Sequence, residues 1–182
     1  SRGIRKIPHL STLLPEFHIC KDGKGAEAVV GWGLRPTTHK ARAFAAEHQL
    51  PFIALEDGFL RSLGLGVAGY PPYSIVYDDI GIYYDTTRPS RLEQLILAAD
   101  TMPSGTLAQA RQAMNFILRH HLSKYNHAPE LSDNHPLRSP SKPETVLIID
   151  QTFGDMAIQY GGADASTFEL MFQTALNENP QA

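Results

Sequence analysis

Pro51-Phe52-Ile53-Ala54-Leu55 is a continuous apolar run that breaks directly into Glu56-Asp57-Gly58-Phe59-Leu60-Arg61. An apolar run of this length without polar alternation reads as a β-strand covered on both faces. Ala28-Val29-Val30-Gly31-Trp32, Ser74-Ile75-Val76-Tyr77 and Thr145-Val146-Leu147-Ile148-Ile149 share the pattern. Segments of helical period lie between and beyond them: Thr38 to His48, Ser90 to Ala99, Leu107 to His121 and Thr167 to Asn177. Ser90 ahead of Glu93 and Ser166 ahead of Glu169 have the hydroxyl-to-carboxylate spacing of a capping box. Asn179-Pro180 closes the last helix. Buried strands alternating with helices predict an α/β fold, a Rossmann-like lobe with a mainly parallel sheet.

The 182 residues suffice for one compact lobe, so a single lobe over residues 1–182 is expected. Glu130 to Pro143 carries Pro136 and Pro140 and has no apolar period, which predicts an exposed loop. It is not read as a domain linker, because Val146 resumes the core pattern at once. The chain stops after a helix that follows a buried strand, where a doubly wound sheet normally adds another strand. A piece of a longer polypeptide is therefore expected.

Charge and cysteine content narrow the function. Lys and Arg number 16 against 19 Asp and Glu, with no basic cluster, which excludes a nucleic-acid footprint. Cys20 is the sole cysteine, so no intrachain disulfide can form and a reducing, cytoplasmic setting is expected, with Cys20 an ordinary half-buried thiol. Ser1 to Lys6 has no apolar stretch of a signal peptide behind it. No apolar run approaches the ~20 residues that span a bilayer, so membrane contact is expected to be peripheral.

Three motifs look chemical and are set aside. Gly64-Leu65-Gly66-Val67-Ala68-Gly69 has the dinucleotide spacing, but Tyr70-Pro71-Pro72 follows where a helix must open. Ile148-Ile149-Asp150 resembles the start of an aspartyl-phosphate site, yet Thr152 stands where a second acid is needed. His120 and His121, adjacent on a helix, diverge by about 100° and cannot chelate one ion alone. They suit the negative end of the helix dipole. No metal and no cofactor are expected.

Two acidic turns remain, Glu56 to Arg61 and Asp150-Gln151-Thr152-Phe153-Gly154-Asp155, each directly after an apolar run. Ligands of open α/β sheets bind outside the carboxyl ends of strands, where both turns are expected. Two carboxylates converging there can divide labour, one ionised as nucleophile and the other handling a proton. The competing reading is that Glu56 or Asp150 merely caps a loop or pairs with Arg61.

These turns, with Ile7-Pro8-His9-Leu10, Gly31-Trp32-Gly33-Leu34-Arg35-Pro36, Asp78-Asp79-Ile80-Gly81-Ile82-Tyr83-Tyr84-Asp85 and Ser123-Lys124-Tyr125-Asn126, resemble the capsule polysaccharide biosynthesis and export family. Within that family the retaining β-Kdo transferases of group 2-type capsules are the most similar. The resemblance implies one half of a GT-B glycosyltransferase, with CMP-Kdo as donor and a phosphatidylglycerol-type glycolipid or its Kdo oligomer as acceptor, worked at the inner membrane. It implies Asp155 as the nucleophile of a double displacement and Glu56 as the proton-transfer partner. Arg61, Lys124 and Arg35 are candidates to meet the Kdo carboxylate, with Asp57, Gly58, Gln151 and Gly154 lining the substrate. The family continues past Ala182 into a donor-binding lobe, so the isolated chain is expected to be inactive. The alternative is a non-catalytic module that holds acceptor or docks other capsule assembly and export proteins.

Overall fold

The computed structural model describes residues 3–20, 23–135, 138 and 145–181. Its sheet has three strands, β1 (Val29–Trp32), β2 (Phe52–Asp57) and β3 (Ile75–Asp78), in that spatial order. β2 runs parallel to β1, with Trp32 beside Leu55, and antiparallel to β3, with Leu55 beside Tyr77. The sheet is therefore α/β but mixed, where a mainly parallel one was expected. The connection explains the difference. Residues 58–74 contain one short 3-10 turn, Gly66–Ala68, and no helical crossover of the kind that returns a strand parallel.

β1 and β2 are joined by α2 (His39–Glu47), entered through a 3-10 turn at Pro36–Thr38. Strand alternation puts Val30, Trp32, Ile53, Leu55 and Ile75 on one face. Ile4, Ile7, Leu10, Leu14 and Phe17 of the N-terminal segment, which includes α1 (Leu10–Leu13), pack against that face. Leu14 and Leu55 are almost wholly buried there, each worth about 1.5–3 kcal/mol in transfer terms. The other face carries Val29, Gly31, Phe52 and Ala54, and Ala45 of α2 is buried. A Cβ on Gly31 would meet the Phe52 ring at 2.5 Å and the Thr38 methyl at 3.2 Å, so glycine is required for this close approach.

The Asp78-Asp79-Ile80-Gly81 segment is architectural. Asp78 is buried, and its carboxylate accepts from the N–H groups of Ile80 (2.9 Å), Gly81 (2.8 Å) and Arg91 (2.8 Å). It thereby fixes the start of α3 (Arg91–Leu97), where Ser90 accepts from Glu93 N–H at 3.1 Å as the sequence predicts. Asp79 receives the Arg91 guanidinium at 2.9 and 2.7 Å, which holds its carboxyl below the ordinary carboxylate range. A depressed carboxyl pKa stabilises the fold above that range, and the contribution fades as pH falls through it. The pair is exposed, so its weight is small. α4 (Thr106–Arg119) follows and ends at His120, whose ring lies 4.3 Å from that of Phe116.

The chain clusters into two compact units: residues 1–83 with 88–128, and residues 84–87 with 129–182. The second contains α5 (Met156–Tyr160) and α6 (Ala165–Glu178). Thr86 holds the Tyr160 carbonyl through its N–H (3.0 Å) and hydroxyl (2.9 Å). Thr145 to Ile149 does not form the expected strand. It has no ladder among the described residues, with Leu147 and Ile149 72% and 70% exposed. An apolar run becomes a strand only where another strand supplies hydrogen bonds, and none is paired to it here. It instead flanks α6 across a cavity of about 630 Å³ lined by Leu170, Met171 and Ala175. Asp164, not Ser166, caps α6, and it forms a reciprocal capping box with Thr167. Cys20 is exposed. Of the loop expected over Glu130 to Pro143, Glu130 to Asn134 are exposed and Asp133 meets Arg138 at 3.2 Å. Residues 136, 137 and 139–143 lie outside the described residues.

Ser90→Ala removes the cap of α3 and is expected to cost about 1 kcal/mol in urea denaturation, while Ser90→Thr keeps most of it.

Candidate active site

β2 does not stop at Leu55. Glu56 and Asp57 are its last two residues, so both acids stand in the ladder and not in the turn beyond it. Alternation sends them to opposite faces of the sheet: Glu56, opposite Val76, with Ala54, and Asp57, opposite Ile75, with Leu55. Both are half-buried. Arg61 reaches back to Asp57, placing Nε 2.9 Å from Oδ1. The N–H is not aligned with that oxygen, which makes the contact an ion pair without a good hydrogen bond. Nη1 donates to Ser62 Oγ at 2.7 Å and to the Tyr70 carbonyl at 2.8 Å, and the residue is only 8% exposed.

The same stretch receives the Ser123-Lys124-Tyr125-Asn126 segment. The Arg61 and Ser62 N–H groups both donate to the Lys124 carbonyl, at 3.1 and 3.2 Å, and Asn126 N–H donates to Leu63 O at 2.7 Å. Two sequence motifs more than sixty residues apart thus form one structure. Lys124 Nζ stands 5.7 Å from the Tyr125 ring centroid. Gly58 is a packing residue: its N–H donates to Ser74 O at 3.0 Å, and a side chain there would collide with Ser74. Gly64 and Gly66 lie against the Tyr70 ring and the Arg61 guanidinium, so the dinucleotide-like glycines form a packed loop and not a phosphate cradle.

In the second unit, Gln151 to Asp155 form a tight turn closed by Asp155 N–H to Thr152 O at 3.0 Å, with Gly154 in the left-handed region at φ 78°. Asp155 caps α5, its Oδ1 accepting from Ala157 N–H at 2.9 Å. Oδ2 has no hydrogen-bond partner among the described residues, and the residue is exposed. Asp150 Oδ1 accepts from Gln151 N–H, and Asp150 does not end a strand. Asp150, Gln151, Gly154 and Asp155 line a cavity of about 460 Å³ with Phe153 and Phe168.

Each expected residue thus has a place. Glu56, Asp57, Gly58, Arg61, Lys124 and Arg35 belong to the first unit, and Gln151, Gly154 and Asp155 to the second. Arg35 and Arg61 share a pocket whose lining does not include Lys124. Among the described residues no cluster of His, Cys, Asp and Glu has the arrangement of a metal site, and no helix is long and apolar enough to cross a membrane. Trp32, which lines the arginine pocket, was not singled out from sequence as a ligand contact. Trp32 with Arg35 three residues on, at the end of β1, was the signal.

The chain belongs to the capsule polysaccharide biosynthesis protein family, whose model matches residues 27–182. It is 97% identical over 182 residues to the capsule polysaccharide modification protein LipA of Neisseria meningitidis serogroup B, covering all of this chain and 26% of that protein. It is 36% identical over 159 residues to the lipopolysaccharide-processing protein LpsZ of Rhizobium meliloti, covering 86% of this chain and 35% of that one. The chain therefore spans about a quarter to a third of the length of these curated relatives. Among solved structures it superposes on the β-Kdo 2,4-transferase of Thermosulfurimonas dismutans KpsC with a TM-score of 0.87 and 43% identity, covering 100% of this chain and 56% of that one. The β-Kdo 2,7-transferase of the same KpsC, at 23% identity and a TM-score of 0.54, shares the fold.

Asp57→Ala and Arg61→Ala each strand a largely buried charge and are expected to lose about 3 kcal/mol in denaturant unfolding, with Arg61→Lys losing less.

Proposed function

We propose that the full-length protein is a retaining glycosyltransferase of the GT-B kind. It moves Kdo from CMP-Kdo to a phosphatidylglycerol-type glycolipid or the Kdo oligomer growing on it, as a peripheral protein at the cytoplasmic face of the inner membrane. Its product anchors capsular polysaccharide. The observation that carries this reading is Asp155 in its turn: one carboxylate oxygen is held by a backbone N–H, and the residue lines a cavity of about 460 Å³. Family membership and the 43% identical Kdo transferase structure support it.

In the first step Asp155 Oδ2 attacks the anomeric carbon of Kdo while the bond from that carbon to the CMP phosphate oxygen breaks. The phosphate departs as an anion and needs no proton. In the second step an acceptor hydroxyl oxygen attacks the same carbon, Glu56 takes the hydroxyl proton, and the bond to Asp155 breaks to restore the carboxylate. Two inversions give net retention. Gly154 keeps the turn open beside the nucleophile, with Gln151 as a neighbouring amide. The Kdo carboxylate repels Asp155, so cations among Arg61, Lys124 and Arg35 offset that charge, and Asp57 and Gly58 shape the acceptor side.

The full-length Asp155→Asn protein is expected to lose transfer by a factor on the order of 10³ or more. Glu56→Gln is expected to release close to one equivalent of CMP in a burst and then turn over slowly. Near-normal steady-state transfer in Asp155→Asn, measured by CMP release with acceptor present, would end the proposal.

A further inference from the structure

α4 is a 14-residue helix that buries none of its side chains. Thr106 and Ile117 are half-buried, and the rest of the helix is exposed. Leu107, Met114 and Leu118 recur at spacings of seven and four, which sets them within about 40° of one another round the helix. They are 74%, 61% and 69% exposed. Arg111 borders this stripe, and Gln109, Gln112 and Arg119 fall on the opposite side. Phe116 also lies there, with its ring against that of His120. A helix packed into a domain hides its apolar stripe; this one presents it to solvent.

The charge around the stripe has one sign. Residues 101–129 contain no Asp or Glu, in a chain whose net charge is −3. Arg111, Arg119 and Lys124 are the formal charges of that stretch, and His120, His121 and His127 accompany them. Neither Arg111 nor Arg119 has an ion-pair partner among the described residues. At 14 residues α4 is about 21 Å long, short of the ~30 Å hydrocarbon core of a bilayer, so it suits lying along an interface and not crossing one. Charge decides between a protein and a lipid occupant. A protein surface carries both signs, whereas a bilayer rich in anionic headgroups carries one and attracts every Lys and Arg held close to it.

We propose that α4 is a membrane-docking helix. Leu107, Met114 and Leu118 enter the boundary between headgroups and acyl chains of an anionic bilayer, and Arg111 and Arg119 meet the lipid phosphates. The proposal deepens the membrane placement in the function proposed above: it rests on that reading for its purpose, a lipid-borne acceptor, but not for the binding itself. Its consequence for catalysis is orientation. Leu122 N–H closes onto the Ile117 carbonyl at 3.0 Å, and the Lys124 carbonyl then accepts from the Arg61 and Ser62 N–H groups. The chain between α4 and the loop after β2 is therefore short and pinned, and a docked α4 holds the end of β2 in a fixed relation to the lipid.

The full-length protein is expected to cosediment with vesicles of phosphatidylethanolamine and phosphatidylglycerol at about 0.1 M salt, and to bind pure phosphatidylcholine vesicles at least about tenfold more weakly. Two variants read the helix. Leu107→Gln/Met114→Gln/Leu118→Gln removes the stripe, and Arg111→Gln/Arg119→Gln removes the charge. Each is expected to weaken binding to the anionic vesicles by about tenfold or more, and the second also flattens the dependence on salt. All five side chains are exposed, so both variants are expected to unfold at the wild-type temperature. Wild-type binding by both variants overturns the proposal, as does equal binding of the wild type to neutral and anionic vesicles. A fall of several degrees in unfolding temperature with vesicle binding unchanged means that protein covers the stripe, and overturns it too. If the apolar variant fails to fold, the charge variant decides alone. Transfer of Kdo to a lipid-free Kdo oligosaccharide is expected to keep its wild-type rate in both variants. A wild type that binds vesicles but never transfers Kdo refutes the transferase reading and leaves the docking helix standing.

Discussion

The ion pair between Asp57 and Arg61 is the constraint on which the first unit turns. It joins the last residue of the central strand to the loop that leaves it, and the guanidinium then reaches Ser62 and the Tyr70 carbonyl. A loop of this length has many conformations, and a charge largely removed from water cannot be left without its partner. Arg61 therefore selects one. The choice spreads, since the backbone N–H groups of Arg61 and Ser62 hold the Lys124 carbonyl and so fix where the chain returns after α4. The same guanidinium lies against Gly66 and lines a cavity, so anchoring and packing duties coincide in one residue.

This double role alters the meaning of a motif. Glu56-Asp57-Gly58 reads in the sequence as an acidic turn, but the structure splits it three ways. Asp57 is an anchor, Gly58 is a point of close approach to Ser74, and Glu56 lies on the opposite face of the sheet from Asp57. Asp78 makes the same point more strongly. Three backbone N–H groups consume its carboxylate, and its neighbourhood to Gly81 and Arg91 is a turn and a helix start with no chemistry to perform.

Much of the fold was legible from pattern. The apolar runs at Val29, Phe52 and Ile75 and the helical periods of α2, α3, α4 and α6 each correspond to an observed element, and the Ser90 cap was readable because its partner is three residues away. What depended on distant partners was not legible. The direction of β3 is set by the lack of a helix in residues 58–74, and the fate of Thr145 to Ile149 by the absence of a pairing strand among the described residues. Ser166 lost the α6 cap because Asp164 offers a carboxylate to the Ser166 hydroxyl and to Thr167, contacts that hold the Asp164 carboxyl below its ordinary range. Of the site, residue identities were readable from motifs; the commitment of Arg61 to Asp57 and the place of Trp32 were not, since both come from tertiary packing.

The central claim is that Asp155 carries the sugar between donor and acceptor. Intact-protein mass spectrometry of the full-length Glu56→Gln protein, incubated with CMP-Kdo and no acceptor, tests it most directly. The account predicts a mass gain of one Kdo residue that maps by peptide fragmentation to Asp155 and disappears in the Glu56→Gln/Asp155→Asn double variant. Transfer to acceptor by the wild type with no such adduct at any time, or an adduct on another residue, would contradict it.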